Sequence, residues 1–202
     1  MTQSLQQQFG NMDIYLFDQL LKGRIDTTKR ILDAGCGGGR NLVYLLQQGY
    51  DVHAVDQNPN AVSQAIQLAA RLAPELPEGN FQQSTIEGLS YPDQTFDVVI
   101  SNAVLHFSRN KQQFEDMLFS MWRVLKEGGF LFVRLSSMIG IEAGVTELGN
   151  GHYRNPDGSE GYLVDQQMLL DYTAQLSGRL LDDIKTTNVQ GFRRMTTWCI
   201  GK

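Results

Sequence analysis

Residues 31–41 read Ile-Leu-Asp-Ala-Gly-Cys-Gly-Gly-Gly-Arg-Asn: an apolar run closing on an acid, glycines at alternate positions, then the start of another apolar segment. Such a stretch must leave a strand and enter a helix within a few residues. Glycine allows that, because it accepts positive φ and lets a ligand approach main chain closely. A dinucleotide fingerprint, Gly-x-Gly-x-x-Gly, would need glycine at 40 when counted from Gly35 or at 42 when counted from Gly37, and those positions are Arg40 and Leu42. What stands instead is Asp-x-Gly-x-Gly-x-Gly from Asp33. It sets a carboxylate beside the loop with no pyrophosphate to cradle, which suits a cationic ligand bearing a nucleoside.

Ala54-Val55-Asp56 closes a second β-patterned run about twenty residues beyond the loop, where open α/β folds place an acid on ribose hydroxyls. Three further stretches are Thr85-Ile86-Glu87, the run Phe96 to Asn102, and Val124-Leu125-Lys126-Glu127-Gly128-Gly129. In these residues, and over roughly positions 29–136, the chain resembles the class I S-adenosylmethionine-dependent methyltransferases. It is similar within them to small-molecule enzymes of the tellurite-resistance type, which share Gly39-Arg40-Asn41 and a short β-rich C-terminus. The resemblance implies a doubly wound α/β fold, Rossmann-like, whose seven-stranded, mostly parallel sheet ends in an antiparallel C-terminal strand. It also implies S-adenosyl-L-methionine as cofactor.

At 202 residues and 42% hydrophobic composition, the chain has the size of one well-buried domain. Its parts are expected as an N-terminal helical cap (1–28), a cofactor-binding core (29–136), a lid-like loop (137–161) and a C-terminal helix with a β-hairpin (162–202). A net charge of −5 argues against a general nucleic-acid surface, which needs a basic stripe to release counterions. The polar start lacks a signal-peptide pattern, and no apolar run approaches membrane-spanning length. Two cysteines make no disulfide framework, so a cytoplasmic protein, monomeric or homodimeric, is expected.

Along the chain, residues 11–25 carry apolar positions at helical spacing. Strands are expected at 30–34, 51–56, 80–84, 96–101 and 130–135, with helices at 39–48, 58–72 and 111–125. Asn58-Pro59 reads as a cap followed by proline at the first helical position. From Ser136 to Gly161 periodicity disappears among six glycines, the pattern of a mobile cover. A helix at 164–175, with Asp165 as cap, and two strands around Gln190-Gly191 complete the chain.

The resemblance assigns the floor under the methionine moiety to Asp33, Gly35, Cys36, Gly37 and Gly39, and the ribose to Asp56 with Gln57 beside it. Thr85-Ile86-Glu87 follows strand three where relatives use an Asp and a main-chain amide to read adenine. Thr85 departs from that pattern, so the hydroxyl or Glu87 would meet the exocyclic amine and the Ile86 amide a ring nitrogen. Ser101 and Asn102 end strand four, with carbonyls suited to the methionine ammonium. His106 is the candidate base, because its ordinary pKa suits proton removal from a nucleophile. Tyr15, Arg134, Tyr153 and Arg154 are the candidate acceptor contacts, with His152, Arg193 and Arg194 nearby; arginines would favour an anionic or oxygen-rich acceptor. No metal site is read. The expected activity is transfer of the sulfonium methyl to a small molecule by in-line displacement. Two other readings stay open: a non-catalytic S-adenosylmethionine-binding regulator, and a nicotinamide-dependent oxidoreductase, against which the missing fingerprint weighs.

Overall fold

The computed structural model describes residues 4–202, so the first three positions of the expected N-terminal cap lie outside the described residues. The cap opens with a short helix that the polar start had concealed, α1 (Leu5–Phe9), held by a reciprocal capping box between Ser4 and Gln7. Asp13 then caps α2 (Ile14–Leu21) by accepting from the Tyr15 amide at 2.9 Å.

The core alternates strand and helix: β1 (Arg30–Ala34), α3 (Val43–Gln47), β2 (Asp51–Asp56), α4 (Pro59–Leu72), β3 (Phe81–Gln83), β4 (Phe96–Asn102), α5 (Lys111–Val124) and β5 (Leu125–Ser136). Helix α3 starts four residues later than its apolar pattern suggests. Gly39 has φ +84°, outside the right-handed helical region, and the glycine-rich segment is consumed in turns. Asn58 caps α4 by accepting from the Asn60 amide at 2.9 Å. At the start of β5 a bulge opposite Phe96 and Val98 accommodates Gly128-Gly129. A Cβ at Gly129 would stand 2.7 Å from the Asp97 carbonyl oxygen, so glycine is required there by close backbone approach.

The segment expected as a structureless cover is folded. Residues 146–162 form a small antiparallel sheet of β6 (Thr146–Gly149), β7 (His152–Arg154) and β8 (Glu160–Tyr162). It is tied back to the main sheet by a Ser137–Val164 bridge and by the Met138 amide donating to the Val164 carbonyl at 2.9 Å. The turns between its strands take up the glycines; Gly149, Gly151 and Gly158 all have positive φ. Pairing of β7 with strands on both sides satisfies the backbone that no side-chain periodicity had announced.

Helix α6 (Gln166–Gln175) follows, with Asp165 capping it through the Met168 amide at 2.7 Å. The strand expected ahead of Gln190-Gly191 breaks in two around Asp182-Asp183, giving β9 (Arg179–Leu180) and β10 (Lys185–Val189), and β11 (Arg193–Gly201) closes the chain. The main sheet has the order β10-β11-β5-β4-β1-β2-β3, with β9 pairing the far end of β11 as an eighth strand. β11 runs antiparallel to its neighbours, and the pairings among β1 to β5 are parallel.

Apolar side chains fill both faces. One layer packs Leu32, Val99, Leu131 and Trp198 under α5 and α6; the other packs Ile31, Val98, Phe132 and Cys199 under α2, α3 and α4. The winding direction reverses between β1 and β4. Open α/β sheets bind ligands at such a switch point, outside the carboxyl ends of the strands.

Candidate cofactor site

Above that switch point lies a cavity of about 700 Å³ walled by the turn after β1, the ends of β2 and β4, the loop after β3 and the first turns of α5. Gly35, with φ +87°, receives the turn: its amide and that of Cys36 both donate to the Val55 carbonyl, at 2.8 and 3.0 Å. A Cβ at Gly35 would press to 2.5 Å from Val104, and one at Gly39 to 2.9 Å from Leu68. At Gly37, φ +53°, it would meet nothing within 4 Å. Thus Gly35 and Gly39 are glycine for conformation and packing, and Gly37 alone presents bare main chain to open space. Gly39 is off the cavity wall, whereas Gly38 and Arg40 are on it.

Asp56 ends β2 at the wall. One carboxylate oxygen accepts from the Gly37 amide and the other from the Asn58 amide, both at 2.9 Å. Each oxygen keeps a lone pair for further donors, such as the two hydroxyls of a ribose. Gln57 lies beside it on the wall, as do Thr85, Ile86 and Glu87. Glu87 is held by the Gln113 side chain, which donates to it at 2.6 Å from α5.

Beneath the loop sits a group of buried polar atoms with no protein partner: both carboxylate oxygens of Asp33, Ser101 Oγ and Asn102 Nδ2. Burial pushes the Asp33 carboxyl up to about 7, with Arg40 opposing and Asp56 adding to the shift. Asn102 Oδ1 accepts from Arg40 Nη2 at 2.7 Å, a clasp between the β1 turn and the end of β4. Ala103, next on the wall, has φ +62°, a left-handed conformation that costs a non-glycine residue about 1–2 kcal/mol. Its amide is fixed by the Arg134 carbonyl at 2.7 Å. Asp33 and Ser101 lie behind the wall; Asn102 is part of it.

His106 is not on the wall. Its Nδ1 accepts from the Ser136 amide at 3.3 Å, which leaves the proton on Nε2, and burial pushes its pKa down to about 4. The neutral ring therefore spends its one acceptor nitrogen on main chain, an arrangement that opposes the expected role as base.

Tyr15 and Arg134 are brought together, but against each other. The guanidinium lies 4.7 Å from the Tyr15 ring centroid and pairs through Nε with Asp13 at 3.0 Å, while Tyr15 Oη and Thr187 Oγ1 are 3.0 Å apart. The Asp13 amide in turn donates to Asn41 on the cavity wall at 3.1 Å. Tyr153 and Arg154 are on β7, away from the wall, and the exposed Arg154 is engaged by Glu160 across the strand pair, at 2.7 and 2.8 Å. His152 Nε2 donates to the Ser108 carbonyl oxygen at 2.8 Å, which ties it to the 105–108 turn and fixes its proton on Nε2. Arg193 is exposed, and the buried Arg194 donates to the Gly140 carbonyl at 3.2 Å.

Sequence reasoning missed Arg40, Asn41, Val104, Phe107, Gln113 and Met117 on the wall. Only Arg40 and Asn41 carried a signal, since they directly follow the glycine loop. Among the described residues no helix is long and apolar enough to cross a membrane, and no group of three or more His, Cys, Asp or Glu is placed to hold a metal ion.

A mostly parallel sheet with a nucleoside-sized cavity at its switch point, an acid at the end of β2 and bare glycine main chain define a nucleoside-binding α/β protein. Residues 32–133, half of the chain, match the methyltransferase domain family, and the chain belongs to that family. It is 31% identical over 105 residues to an uncharacterized methyltransferase of Synechocystis, covering 52% of this chain and 46% of that protein. It is 38% identical over 102 residues to a ubiquinone biosynthesis O-methyltransferase of Rickettsia felis, covering 50% and 40%. The chain thus spans less than half the length of these two relatives. Among solved structures it is similar to a Burkholderia thailandensis 1,6-didemethyltoxoflavin N1-methyltransferase, with a TM-score of 0.68 and 19% identity over 93% of this chain and 75% of that one.

S-adenosylmethionine is the cofactor of this class, and the residues present fit it. The open space over Gly37, the spare lone pairs of Asp56 and the unpartnered Asp33 and Asn102 atoms supply main-chain approach, ribose acceptors and, once Asp33 is ionised, a buried carboxylate for a cationic amino-acid end.

Proposed function

We propose that this chain transfers a methyl group from S-adenosylmethionine to a small-molecule acceptor by in-line displacement. The observation that carries the reading is one cavity with the Gly37 main chain and Asp56 on its wall and the unpartnered Asp33 carboxyl behind that wall. The cofactor supplies a methyl already activated by a positive sulfur. The chain's own work is to hold and to exclude water. In this reading Asp56 accepts the ribose hydroxyls, Gly35, Cys36 and Gly37 offer main chain to the methionine end, and Asp33 neutralises its ammonium from below. The Ser101 and Asn102 carbonyls point that end, and Thr85, Ile86 and Glu87 border the adenine. When bound, the cofactor would supply the methyl carbon to the acceptor's lone pair and its sulfur would take up the released bond pair, the acceptor's proton passing to solvent, while the residues named above hold the two in line. No step is assigned to His106.

Tyr15 and Arg134 form the inner boundary of the acceptor side, joined to the wall through Asp13 and Asn41. Small-molecule chemistry is supported by the ubiquinone biosynthesis relatives and the didemethyltoxoflavin-binding neighbour. The net charge of −5 favours no nucleic-acid partner, and two free buried thiols suit a cytoplasmic protein working as a monomer or homodimer.

Calorimetric titration with S-adenosylhomocysteine tests the reading. Saturable binding is expected, and Asp56→Ala should weaken it by about 1.5–3 kcal/mol, the scale of hydrogen bonds to a charged group. Full affinity in a folded Asp56→Ala protein would remove the ribose role. Binding without methyl transfer to any acceptor in a broad screen would favour a regulatory protein instead.

A further inference from the structure

Phe107 lies on the cavity wall with 73% of its surface exposed. A phenyl ring left in water forgoes burial that most phenylalanines obtain, and this one is not carried by a loose loop. Its amide donates to the Val104 carbonyl at 2.9 Å, Ser108 Oγ donates to the Leu105 carbonyl at 2.6 Å, and His152 grips the Ser108 carbonyl at 2.8 Å. Gly161 of β8 presses on the same turn so closely that a Cβ there would stand 3.0 Å from the His106 carbonyl oxygen. The small sheet of β6, β7 and β8 is therefore a buttress behind the Phe107 turn.

The surroundings of the ring specify what would cover it. The His106 ring lies 4.4 Å away and tilted by 43°, which occupies one side only. Val104 and Met117 share the wall, and Met117 Sδ sits 3.6 Å from Ser108 Oγ, which brings a polarizable thioether to the Phe107 turn. Of the two carboxylates on the wall, Asp56 is held at the end of β2 by the Gly37 and Asn58 amides and Glu87, after β3, by Gln113; neither belongs to the Phe107 turn. Val104, Phe107 and Met117 give this corner apolar side chains.

We propose that Phe107, with Val104 and Met117, is the stacking platform for the methyl acceptor, and that the acceptor is a planar aromatic molecule, a phenol or a nitrogen heteroaromatic. The inference rests on the methyltransferase reading above and adds the substrate class. His152 is a positioning residue that acts through the turn.

The test titrates the full chain, saturated with S-adenosylhomocysteine, with planar probes (3,4-dihydroxybenzoate, 7-hydroxycoumarin, xanthine) and non-planar ones (iodide, tellurite, thioglycolate). Saturable binding of a planar probe and none of the others is expected. Phe107→Ala should weaken that binding by about tenfold, Phe107→Trp should hold it within about threefold, and both should keep S-adenosylhomocysteine affinity within about twofold. His152→Ala should weaken the planar probe, and His152→Gln, which restores a donor, should recover part of the loss. No planar binding, unchanged binding in Phe107→Ala, or an equal loss of S-adenosylhomocysteine affinity in that variant would each overturn the platform; the last would give the ring to the cofactor. Failure of the wild-type chain to bind S-adenosylhomocysteine would instead remove the methyltransferase reading, and the platform with it.

Discussion

Asp33 is a fully buried carboxylate whose oxygens have no protein partner, a costly arrangement for any side chain. The protein meets that cost by holding the proton, since burial raises the carboxyl from 3.8 to about 7. The folded state thus binds this proton more tightly than the unfolded chain, so the stability it confers is fully present below the ordinary carboxylate range. It is lost as pH rises from there to about 7. Asp33→Asn should abolish the loss: without ligand, the melting temperature of the variant relative to wild type should climb between pH 4 and pH 7 and then level off. For wild type, affinity for the cationic cofactor should rise over the upper part of that window, because only ionised Asp33 attracts an ammonium. Parallel melting curves against pH for the two proteins, or a pH-independent wild-type affinity, would leave Asp33 as structural filling.

At the scale of elements, α2 is fastened to the ligand edge of the sheet by polar contacts as well as by the buried Leu16. Asp13 both caps the helix and pairs with Arg134 of β5, the two side chains being 9% and 13% exposed, and its amide meets Asn41 beside the glycine loop. Removing one partner of a nearly buried pair leaves the other charge uncompensated. Asp13→Ala should therefore cost about 2–3 kcal/mol in urea denaturation. Tyr15→Phe, which loses only a neutral hydrogen bond to Thr187, should cost about 0.5–1.5 kcal/mol. Equal effects would mean that the ion pair adds nothing to the docking of α2. The other element of note, the β6-β7-β8 sheet, braces the 105–108 turn from behind, so its influence on the site passes through Phe107 and not through Tyr153 or Arg154.

At the scale of the molecule, the cavity draws its wall from both halves of the winding, β1 and β2 on one side of the switch point and β4 and α5 on the other. A ligand there ties the halves together and should raise the whole unfolding transition. S-adenosylhomocysteine at one hundred times its Kd adds about 2.7 kcal/mol, or roughly 5–10 °C for a chain of this size. NAD should add nothing, because the turn after β1 lacks the glycine spacing for a pyrophosphate. An equal shift by NAD in a thermal melt would contradict the cofactor assignment.

The sequence by itself determined whatever rests on neighbours along the chain. The strand–acid–glycine turn, the in-phase Asp56, the Asn58 and Asp165 caps and the buried Val98-Val99-Ile100 strand are local patterns, and each was legible because backbone sterics and capping act over a few residues. The tertiary structure alone decided what depends on distant pairing. The Arg40–Asn102 clasp spans 62 residues, and the contact of His106 with Ser136, which sets its tautomer, spans 30. The glycine-rich 137–161 stretch read as structureless because a two-sided strand such as β7 is specified by its partners and not by alternation in its own side chains. Nothing in the residues around Phe107 along the chain marks it out. Its exposure, and with it the acceptor class inferred here, arises because the turn it ends is pinned by β7 and β8 with the ring facing the cavity.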